Sequence, residues 1–234
     1  MSANKARAEP EIGATRWIAA ADVTALRQAA SQRIVDAAGR AIGQRGRFLI
    51  VLAGGNTPRG VYDLLRAAST DWSRWHVYFG DERCLPPAHA ERNSRMADVW
   101  LERVPIARDH LHVIPAELGA AAAAQRYAET LRGVGDFDLV LLGLGEDGHT
   151  ASLFPGHDWG DTPDAPDVLA IIDAPKPPLE RVSLSAARLS RAREVLFLVE
   201  GESKRDAVAL WKMGERIPAR AIHAHAGVDV LMHL

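Results

Sequence analysis

Two short and almost uninterrupted apolar runs constrain the fold more than any other feature of the sequence. The runs are FLIVL at Phe48–Leu52 and LVLL at 139–142. They are far too short to cross a bilayer, and they lack the alternation of a strand with one wet face. Continuously apolar strands are typical of a parallel sheet that helices cover on both faces. Each run leads into a glycine-rich turn, and ligands of open α/β sheets gather at the carboxyl ends of such strands.

Helical and strand patterns alternate along the rest of the chain, as they do in α/β folds. Apolar residues recur every three or four positions from Val23 to Ala41, which predicts a long amphipathic helix capped by Asp22. Further strands are predicted at 76–79, 111–114, 138–142, 168–172, 182–184 and 195–199, and helices at 59–67, 94–103, 120–131 and 203–213. The pattern predicts an open, mainly parallel, Rossmann-like sheet with helices on both faces.

Composition limits the number of domains, the cellular compartment and the classes of binding partner that we expect. We expect one α/β domain over 15–234, because no break in composition interrupts it, and a flexible tail at 1–14 without the apolar core of a signal peptide. Cys84 is the single cysteine, which excludes an intrachain disulfide and fits a reducing compartment. The formal net charge of -2, with scattered basic residues, gives no nucleic-acid surface. We therefore expect a cytoplasmic protein, monomeric or a small homo-oligomer, that binds neither nucleic acid nor a membrane.

The first glycine-rich turn predicts an anion site. Gly54, Gly55, Asn56 and Thr57 follow the first apolar run, and Pro58 then stands at the predicted first position of a helix. Thr57 is the expected N-cap. Backbone N–H groups of such a turn can approach a phosphate closely, and the helix dipole adds partial positive charge. The alternative is a tight turn that serves packing alone.

A charged cluster follows the strand predicted at 76–79. Arg83 offers the planar fork of donors that suits a phosphate, and Asp81 could act in acid–base chemistry or orient another group. The alternative is a solvated loop. Cys84 comes next, but no base is tied to it by spacing, so a nucleophilic role is disfavoured.

The turn after the second apolar run carries the most specific signal. In LGLGEDGHTASLFPG, Asp147 stands two residues before His149, at the carboxyl end of a predicted strand. Imidazole is the side chain best suited to take a proton from water near neutral pH. A catalytic His149 is favoured over a histidine with a structural role.

Other interpretations of the same region are weaker. Residues 143–148 also spell G-x-G-x-x-G, the dinucleotide fingerprint, but a proline and a glycine at 155–156 stop the helix that must follow it. A nucleophilic Ser152 is disfavoured because no G-x-S-x-G elbow exists. His223 and His225 would share a face of a short strand, without the third nearby ligand that a metal site needs.

Two further cations could serve an anion site. Arg181 stands at the start of a predicted strand, and Lys204 stands near the start of a helix just beyond Gly201. A lysine at a helix N-terminus is disfavoured by the helix dipole, and an anion that shares the site would offset this cost. The alternative is that both are solvated surface charges.

Together these segments resemble the 6-phosphogluconolactonase family, within the wider superfamily of glucosamine-6-phosphate deaminases and ribose-5-phosphate isomerases. The similar stretches are AGGNTP at 53–58, GDER at 80–83, NS at 93–94, LGLGEDGHTASLFPG at 142–156, KPPLERVSLS at 176–185 and VEGESKRDAV at 199–208. They follow the family's order and spacing from about residue 15 to about residue 220, and the stretch at 142–156 is the most specific.

The resemblance implies hydrolysis of 6-phospho-D-glucono-1,5-lactone in the pentose phosphate pathway, without a metal or an organic cofactor. It implies that His149 is the general base for the water that attacks C1, that Asp147 orients the imidazole or shapes the turn, and that Asp81 lines the same cavity. It also implies a set of phosphate ligands, namely Gly54, Gly55, Asn56, Thr57, Arg83, Arg181 and Lys204.

The chain departs from the family pattern at a few positions. Asn56 stands where the family more often has serine, Ser183 and Ser185 replace threonines, and the C-terminal GVDVLMHL differs from the usual ending, which leaves its packing open.

Two other functions remain as alternatives. Deaminases and isomerases of amino-sugar phosphates resemble DGHIAFNEP here, with a glutamate that serves the histidine, whereas this chain has Leu153 and Phe154. A non-catalytic sugar-phosphate sensor could keep the phosphate turn but would need neither His149 nor Asp147.

Overall fold

The computed structural model describes residues 15–234, and the tail expected at 1–14 lies outside the described residues. The described residues form ten strands and six α-helices. The strands are β1 (Thr15–Ala19), β2 (Phe48–Leu52), β3 (Trp75–Phe79), β4 (Asp81–Arg83), β5 (Leu111–His112), β6 (Phe137–Gly143), β7 (Val168–Ile171), β8 (Arg181–Leu184), β9 (Ala192–Glu200) and β10 (Val228–His233). The helices are α1 (Val23–Arg45), α2 (Asn56–Leu65), α3 (Asn93–Leu101), α4 (Ala120–Thr130), α5 (Ala186–Ser190) and α6 (Arg205–Lys212).

Seven of these strands form the central sheet, in the order β1-β10-β9-β6-β2-β3-β5, and every pair in it is parallel. Every residue of β2 is buried, so both faces of the sheet are covered at its centre. The predicted open parallel α/β fold is confirmed. The chain runs outward from β2 to β3 and β5, then returns to the other side of β2 to form β6. Such a reversal opens a crevice between the carboxyl ends of β2 and β6.

A second, antiparallel sheet has the order β4-β8-β7. The strands predicted at 168–172 and 182–184 do form, but they lie in this smaller sheet rather than among the parallel strands. Its third member, β4, was not predicted, because three charged residues carry no apolar pattern. In this sheet Asp81 pairs with Ser183 and Arg83 pairs with Arg181. The small sheet therefore brings two predicted site segments together.

Helix α1 begins where the sequence indicates, and it extends a turn beyond the predicted apolar pattern, to Arg45. The side chain of Asp22 accepts a hydrogen bond of 2.7 Å from the N–H of Ala25, which confirms the predicted N-cap. Gly46 ends the helix with φ 72°, and its N–H donates to the Ile42 carbonyl at 2.9 Å. Between these ends, one face of the helix is buried against the sheet.

Helix α2 begins earlier than predicted. The sequence places Thr57 at the N-cap and Pro58 at the first helical position, but the helix begins at Asn56 and Gly55 is its N-cap. The prediction for Thr57 is wrong because Gly55 adopts φ 106°, a conformation that glycine tolerates, and turns the chain directly from the strand into the helix. Pro58 still lies in the first turn, where its missing N–H has no intrahelical acceptor to lose.

Two buried tyrosines fix the ends of the strands that lead to the site. The Tyr62 hydroxyl bonds both the N–H and the carbonyl of Ala53, at 3.1 and 2.9 Å. The Tyr127 hydroxyl does the same for Phe79, at 3.0 and 3.2 Å. Burial raises the pKa of both phenols, so each stays neutral and can donate as well as accept. The backbone therefore leaves β2 and β3 in a fixed direction.

The C-terminal segment, whose packing the sequence left open, forms β10 between β1 and β9. Asp229 lies within this strand and pairs with Arg16 and Arg33. His223 and His225 precede β10 rather than lying on a strand, and His225 bonds Asp136 at 3.0 Å. Among residues 15–234, no helix has both the length and the apolar character that crossing a membrane requires.

Candidate active site

A cavity of about 250 Å³ opens at the carboxyl edge of the parallel sheet, where the chain reverses between β2 and β6. Its walls come from the segments that follow β2, β3, β6 and β9, and from the start of α3 and the loop before β8. The polar and glycine residues that line it include Gly54, Gly55, Asp81, Arg83, Asn93, Gly145, Glu146, His149, Thr150, Lys176, Arg181 and Lys204.

Most of the site residues predicted from the sequence line this one cavity. Gly54, Gly55, Asp81, Arg83, His149, Arg181 and Lys204 are all among its walls. Asn56 and Thr57 are not, because they lie in the first turn of α2, with Asn56 exposed. Asp147 also lies outside the lining, although its side chain touches a residue that belongs to it.

The residue that Asp147 contacts is His149. Its Nδ1 lies 2.5 Å from Asp147 Oδ1, and the same oxygen accepts from the His149 backbone N–H at 3.1 Å. A carboxylate oxygen accepts hydrogen bonds, so Nδ1 carries the proton and Nε2 of the neutral ring keeps its lone pair. Burial raises the pKa of Asp147, but the two hydrogen bonds that it accepts from His149 lower it by more, so that the net pKa lies below the usual range. Asp147 therefore stays ionised and fixes the ring.

The turn that carries the histidine is tightly closed. The N–H of Gly145 donates to the His149 carbonyl at 2.7 Å, and the imidazole lies directly over Gly145, where a Cβ would stand 2.0 Å from Nδ1. Gly148 has φ 85° and packs against Ile217, and its carbonyl accepts from the Ala219 N–H at 3.1 Å. The second glycine is needed for its backbone conformation, and the first for the ring's close approach.

Asp81 is held by two neutral donors. Ser152 Oγ donates to Oδ2 at 2.7 Å, and Asn93 Nδ2 donates to Oδ1 at 3.0 Å. Ser152 is fully buried and belongs to the segment just after His149, whereas Asn93 begins α3. Asp81 thus links the segment after the histidine turn to the start of α3.

The neighbouring carboxylate, Glu82, is fully buried. Its oxygens accept from the backbone N–H groups of Arg83, Asn93 and Ser94 at 2.9, 2.7 and 2.8 Å. Arg92, which is 2% exposed, contacts the same carboxylate at 3.4 Å. Helix α3 has no side-chain cap of its own, so Glu82 satisfies its first N–H groups and complements its dipole.

Two of the lining cations are anchored to backbone carbonyls. Arg83 Nη1 donates to the Glu91 carbonyl, and Arg83 Nε is buried without an acceptor within residues 15–234. Arg181 donates through Nε and Nη2 to the carbonyls of Pro178, Lys176 and Pro177 at 3.1, 3.0 and 3.4 Å. Burial is the main cause that lowers the pKa of Arg181, but a guanidinium so shifted still carries its charge at neutral pH. With Lys176 and Lys204, these two arginines give the cavity four cationic side chains in its lining.

The residues that were not predicted for the site, but that the structure brings to it or into contact with it, include Lys176, Asn93 and Ser152. Lys176 reaches the cavity from the proline-rich loop before β8, Asn93 from the start of α3, and Ser152 from beneath Asp81. The available signal was the position of these residues inside the stretches 93–94, 142–156 and 176–185. Cys84 lies nearby, but burial, with help from Glu180 and Glu82, raises the pKa of its thiol to about 11, which keeps it protonated.

No cluster of side chains suited to a metal ion occurs in the described part of the chain. In the same part of the chain, no helix follows the turn at 143–148 before β7, so the dinucleotide fingerprint lacks the helix that it requires. The site's own chemistry is an imidazole with a free ring nitrogen, ordered carboxylates and a group of cations. That set can move a proton and bind an anion within one cavity.

Comparisons with known proteins show which family and which solved structures the chain is similar to. The family model for glucosamine-6-phosphate isomerases/6-phosphogluconolactonase matches residues 21–231. A 6-phosphogluconolactonase of Nostoc is 36% identical over 198 residues, which cover 80% of this chain and 81% of the Nostoc protein. The chloroplastic 6-phosphogluconolactonase 3 of Arabidopsis thaliana is also 36% identical, over 77% of this chain and 62% of its own length, so the chain spans less than two thirds of that relative. The crystal structure of 6-phosphogluconolactonase from Thermotoga maritima superposes with a TM-score of 0.86 at 26% identity, over 94% of this chain and 99% of that one.

Proposed function

The chain belongs to the glucosamine-6-phosphate isomerase/6-phosphogluconolactonase family, and we propose that it hydrolyses 6-phospho-D-glucono-1,5-lactone to 6-phosphogluconate with His149 as the general base. The observation that carries this proposal is the 2.5 Å contact between His149 Nδ1 and Asp147. It leaves Nε2 as the one ring nitrogen able to accept a proton, on a ring that lines the cation-rich cavity. The reaction belongs to the oxidative branch of the pentose phosphate pathway, which we place in the cytoplasm.

The proposed chemistry needs one proton acceptor and one water molecule. Nε2 of His149 takes a proton from the water as its oxygen attacks C1 of the lactone. The tetrahedral intermediate collapses by breaking the bond between C1 and the ring oxygen, and the imidazolium returns the proton to that oxygen. General-base assistance of this kind contributes about 10²–10⁴-fold. Asp147 stabilises the imidazolium while it exists and keeps the ring in the productive tautomer.

The cations supply the binding energy for the phosphate. We propose that Arg83 and Lys204, with the backbone of the Gly54–Gly55 turn, bind the phosphate group, and that Arg181 and Lys176 extend this positive wall. Arg83 supports the assignment because its buried Nε has no acceptor among the described residues, which leaves a donor for an anion. Since phosphate and C1 lie at opposite ends of the sugar, holding the phosphate keeps C1 within reach of the water. Asn56 and Thr57 can contribute through their backbone at the N-terminus of α2.

The family also contains sugar-phosphate isomerases, which move protons between carbons and need a further acid or base. In this chain Leu153 and Phe154 follow the histidine turn, and they are 1% and 2% exposed. Buried apolar side chains at these positions offer no proton donor, which favours hydrolysis.

The test is a continuous assay with freshly generated 6-phosphogluconolactone, corrected for spontaneous ring opening, run beside an assay for ammonia release from glucosamine 6-phosphate. We expect lactone hydrolysis and no ammonia release. Ammonia release without lactone hydrolysis would replace the proposal with the deaminase function, and phosphate-ligand binding without either reaction would replace it with a sensor.

A further inference from the structure

Asn93 is a buried polar residue of the cavity that the proposed mechanism does not use. It is the first residue of α3, is 5% exposed, and lines the cavity between Asp81 and Gly54. Burial of an amide is costly unless its hydrogen-bonding groups are satisfied. The partners of its two polar ends therefore indicate what this side chain is placed to do.

The amide nitrogen of Asn93 is fully committed to Asp81. Nδ2 donates to the Asp81 backbone carbonyl at 3.0 Å and to Asp81 Oδ1 at 3.0 Å. A backbone carbonyl can only accept a hydrogen bond, so the nitrogen, not the oxygen, has to face Asp81. The orientation of the amide is thus fixed by chemistry, and Oδ1 points away from Asp81.

The backbone beneath this side chain is equally fixed. The N–H of Asn93 donates to Glu82 Oε1 at 2.7 Å, and the N–H of Ser94 donates to Glu82 Oε2 at 2.8 Å. Because Glu82 is fully buried and also contacts Arg92, it holds the first turn of α3 against the cavity wall. Glu82 therefore acts on the cavity as a positioning residue, through Asn93.

The amide oxygen of Asn93 is the end left for a ligand. Oδ1 accepts no hydrogen bond from any group of residues 15–234, although the residue lines the cavity. It lies over Gly54, where a Cβ would stand 1.9 Å from it, so it belongs to the wall next to the glycine turn. An acceptor repels the oxygens of a phosphate, but it suits the hydroxyl of a sugar.

We propose that Asn93 Oδ1 accepts a hydrogen bond from a ring hydroxyl of the substrate, so that Asn93 is a specificity residue for the sugar. This inference rests on the proposed function, and it assigns Asn93 the region between the phosphate and C1, which carries the hydroxyls at C2, C3 and C4. A site that bonds a hydroxyl discriminates against an analogue that lacks it, because a buried acceptor is then left without a donor.

The test crosses an enzyme variant with substrate analogues. We measure kcat/KM of the wild-type enzyme and of Asn93→Ala on 6-phosphogluconolactone and on its 2-deoxy, 3-deoxy and 4-deoxy analogues. On the full substrate, Asn93→Ala is expected to lower kcat/KM by about tenfold, the loss that one buried hydrogen bond produces. On the analogue that lacks the recognised hydroxyl, the wild type loses a similar factor, and the two enzymes differ by no more than about twofold.

Ser94→Ala is the matched control, since it is the neighbouring buried residue and keeps the backbone N–H that Glu82 accepts. It is expected to match the wild type on every substrate. An equal penalty of Asn93→Ala on all four substrates would overturn the proposal and leave Asn93 a structural support of Asp81. If the variant fails to fold, the wild-type enzyme alone still tests the proposal. Equal kcat/KM of the wild type on the full substrate and on its three deoxy analogues would also overturn it. Absence of lactone hydrolysis by the wild type would instead contradict the proposed function.

Discussion

Replacing Gly145 with alanine tests whether the position of the imidazole, rather than its presence alone, sets the rate. A Cβ at residue 145 would lie 2.0 Å from His149 Nδ1, 2.2 Å from Cε1 and 2.6 Å from Cγ. The ring would have to withdraw by about 1.4 Å to reach an ordinary van der Waals separation. That shift is larger than the tolerance of the 2.5 Å contact with Asp147, so the ring would lose its orientation.

The expected cost follows from these distances. A displacement of about 1 Å at a catalytic group can lower the rate by about 10²-fold, and full loss of general-base assistance costs about 10²–10⁴-fold. We therefore expect Gly145→Ala to lower kcat at least about 100-fold, within that range. Backbone strain does not contribute, since Gly145 is not among the glycines with positive φ.

The assay is steady-state hydrolysis of 6-phosphogluconolactone, with binding of the product 6-phosphogluconate measured by calorimetry. Gly135→Ala is the control, because it makes the same substitution at an exposed site before β6 where a Cβ meets nothing within 4 Å. The control should keep wild-type kcat, and both variants should keep product affinity. A Gly145→Ala enzyme with more than about a third of wild-type kcat would refute the reasoning from ring position.

Three further predictions concern the phosphate and the stability of the fold. Arg83→Ala should raise KM by about 10–100-fold, the loss of a charge-assisted hydrogen bond, with little change in kcat, whereas the exposed Arg95→Ala should leave both unchanged; an unaltered KM would remove Arg83 from the phosphate site. Asp138→Ala should lower the free energy of unfolding in urea by about 3 kcal/mol, because the buried N–H of Leu49 loses its acceptor and Arg45 loses an ion pair of 2.8 Å. A loss below about 1 kcal/mol would contradict this prediction. Burial lowers the pKa of His76 from 6.5 to about 4 in the folded state, and the neighbouring His110, His112 and Arg47 add to this effect. Between these two pH values the unfolded chain binds a proton that the folded chain does not. The free energy of unfolding should therefore fall as pH drops from about 6.5 to about 4. His76→Phe, which keeps a ring beside the 3.9 Å stack with His110, should flatten this slope in denaturant midpoints, and parallel curves for the two proteins would disprove the assignment.

The structural elements predicted most accurately are those whose signal lies in one short segment of the sequence. The apolar runs that became β2 and β6 were placed to within a residue, because burial on both faces leaves an uninterrupted signal. Strand β10 was missed because Asp229 interrupts its apolar pattern, and that charge is neutralised by Arg16 and Arg33 from distant parts of the chain. Pairings across some 200 residues leave no local trace in the sequence.

The same distinction holds for the site. His149 and the glycines around it are contiguous, so their turn could be recognised before the fold was known. Lys176 and Asn93 reach the cavity from separate elements, so their place in the site can be predicted only once the order of the strands in the sheet is known. The start of α2 was misplaced because Thr57 has the side chain of a cap, while the conformation of Gly55 decides where the helix begins.

The most direct test of the role proposed for His149 is kcat/KM of His149→Ala on 6-phosphogluconolactone, with the affinity for 6-phosphogluconate measured on the same preparation. We predict a fall of about 10²–10⁴-fold in kcat/KM with nearly unchanged product affinity, because the base is lost while the proposed phosphate-binding cations remain. A variant that retains more than about a tenth of wild-type kcat/KM would contradict the role of His149 as the general base.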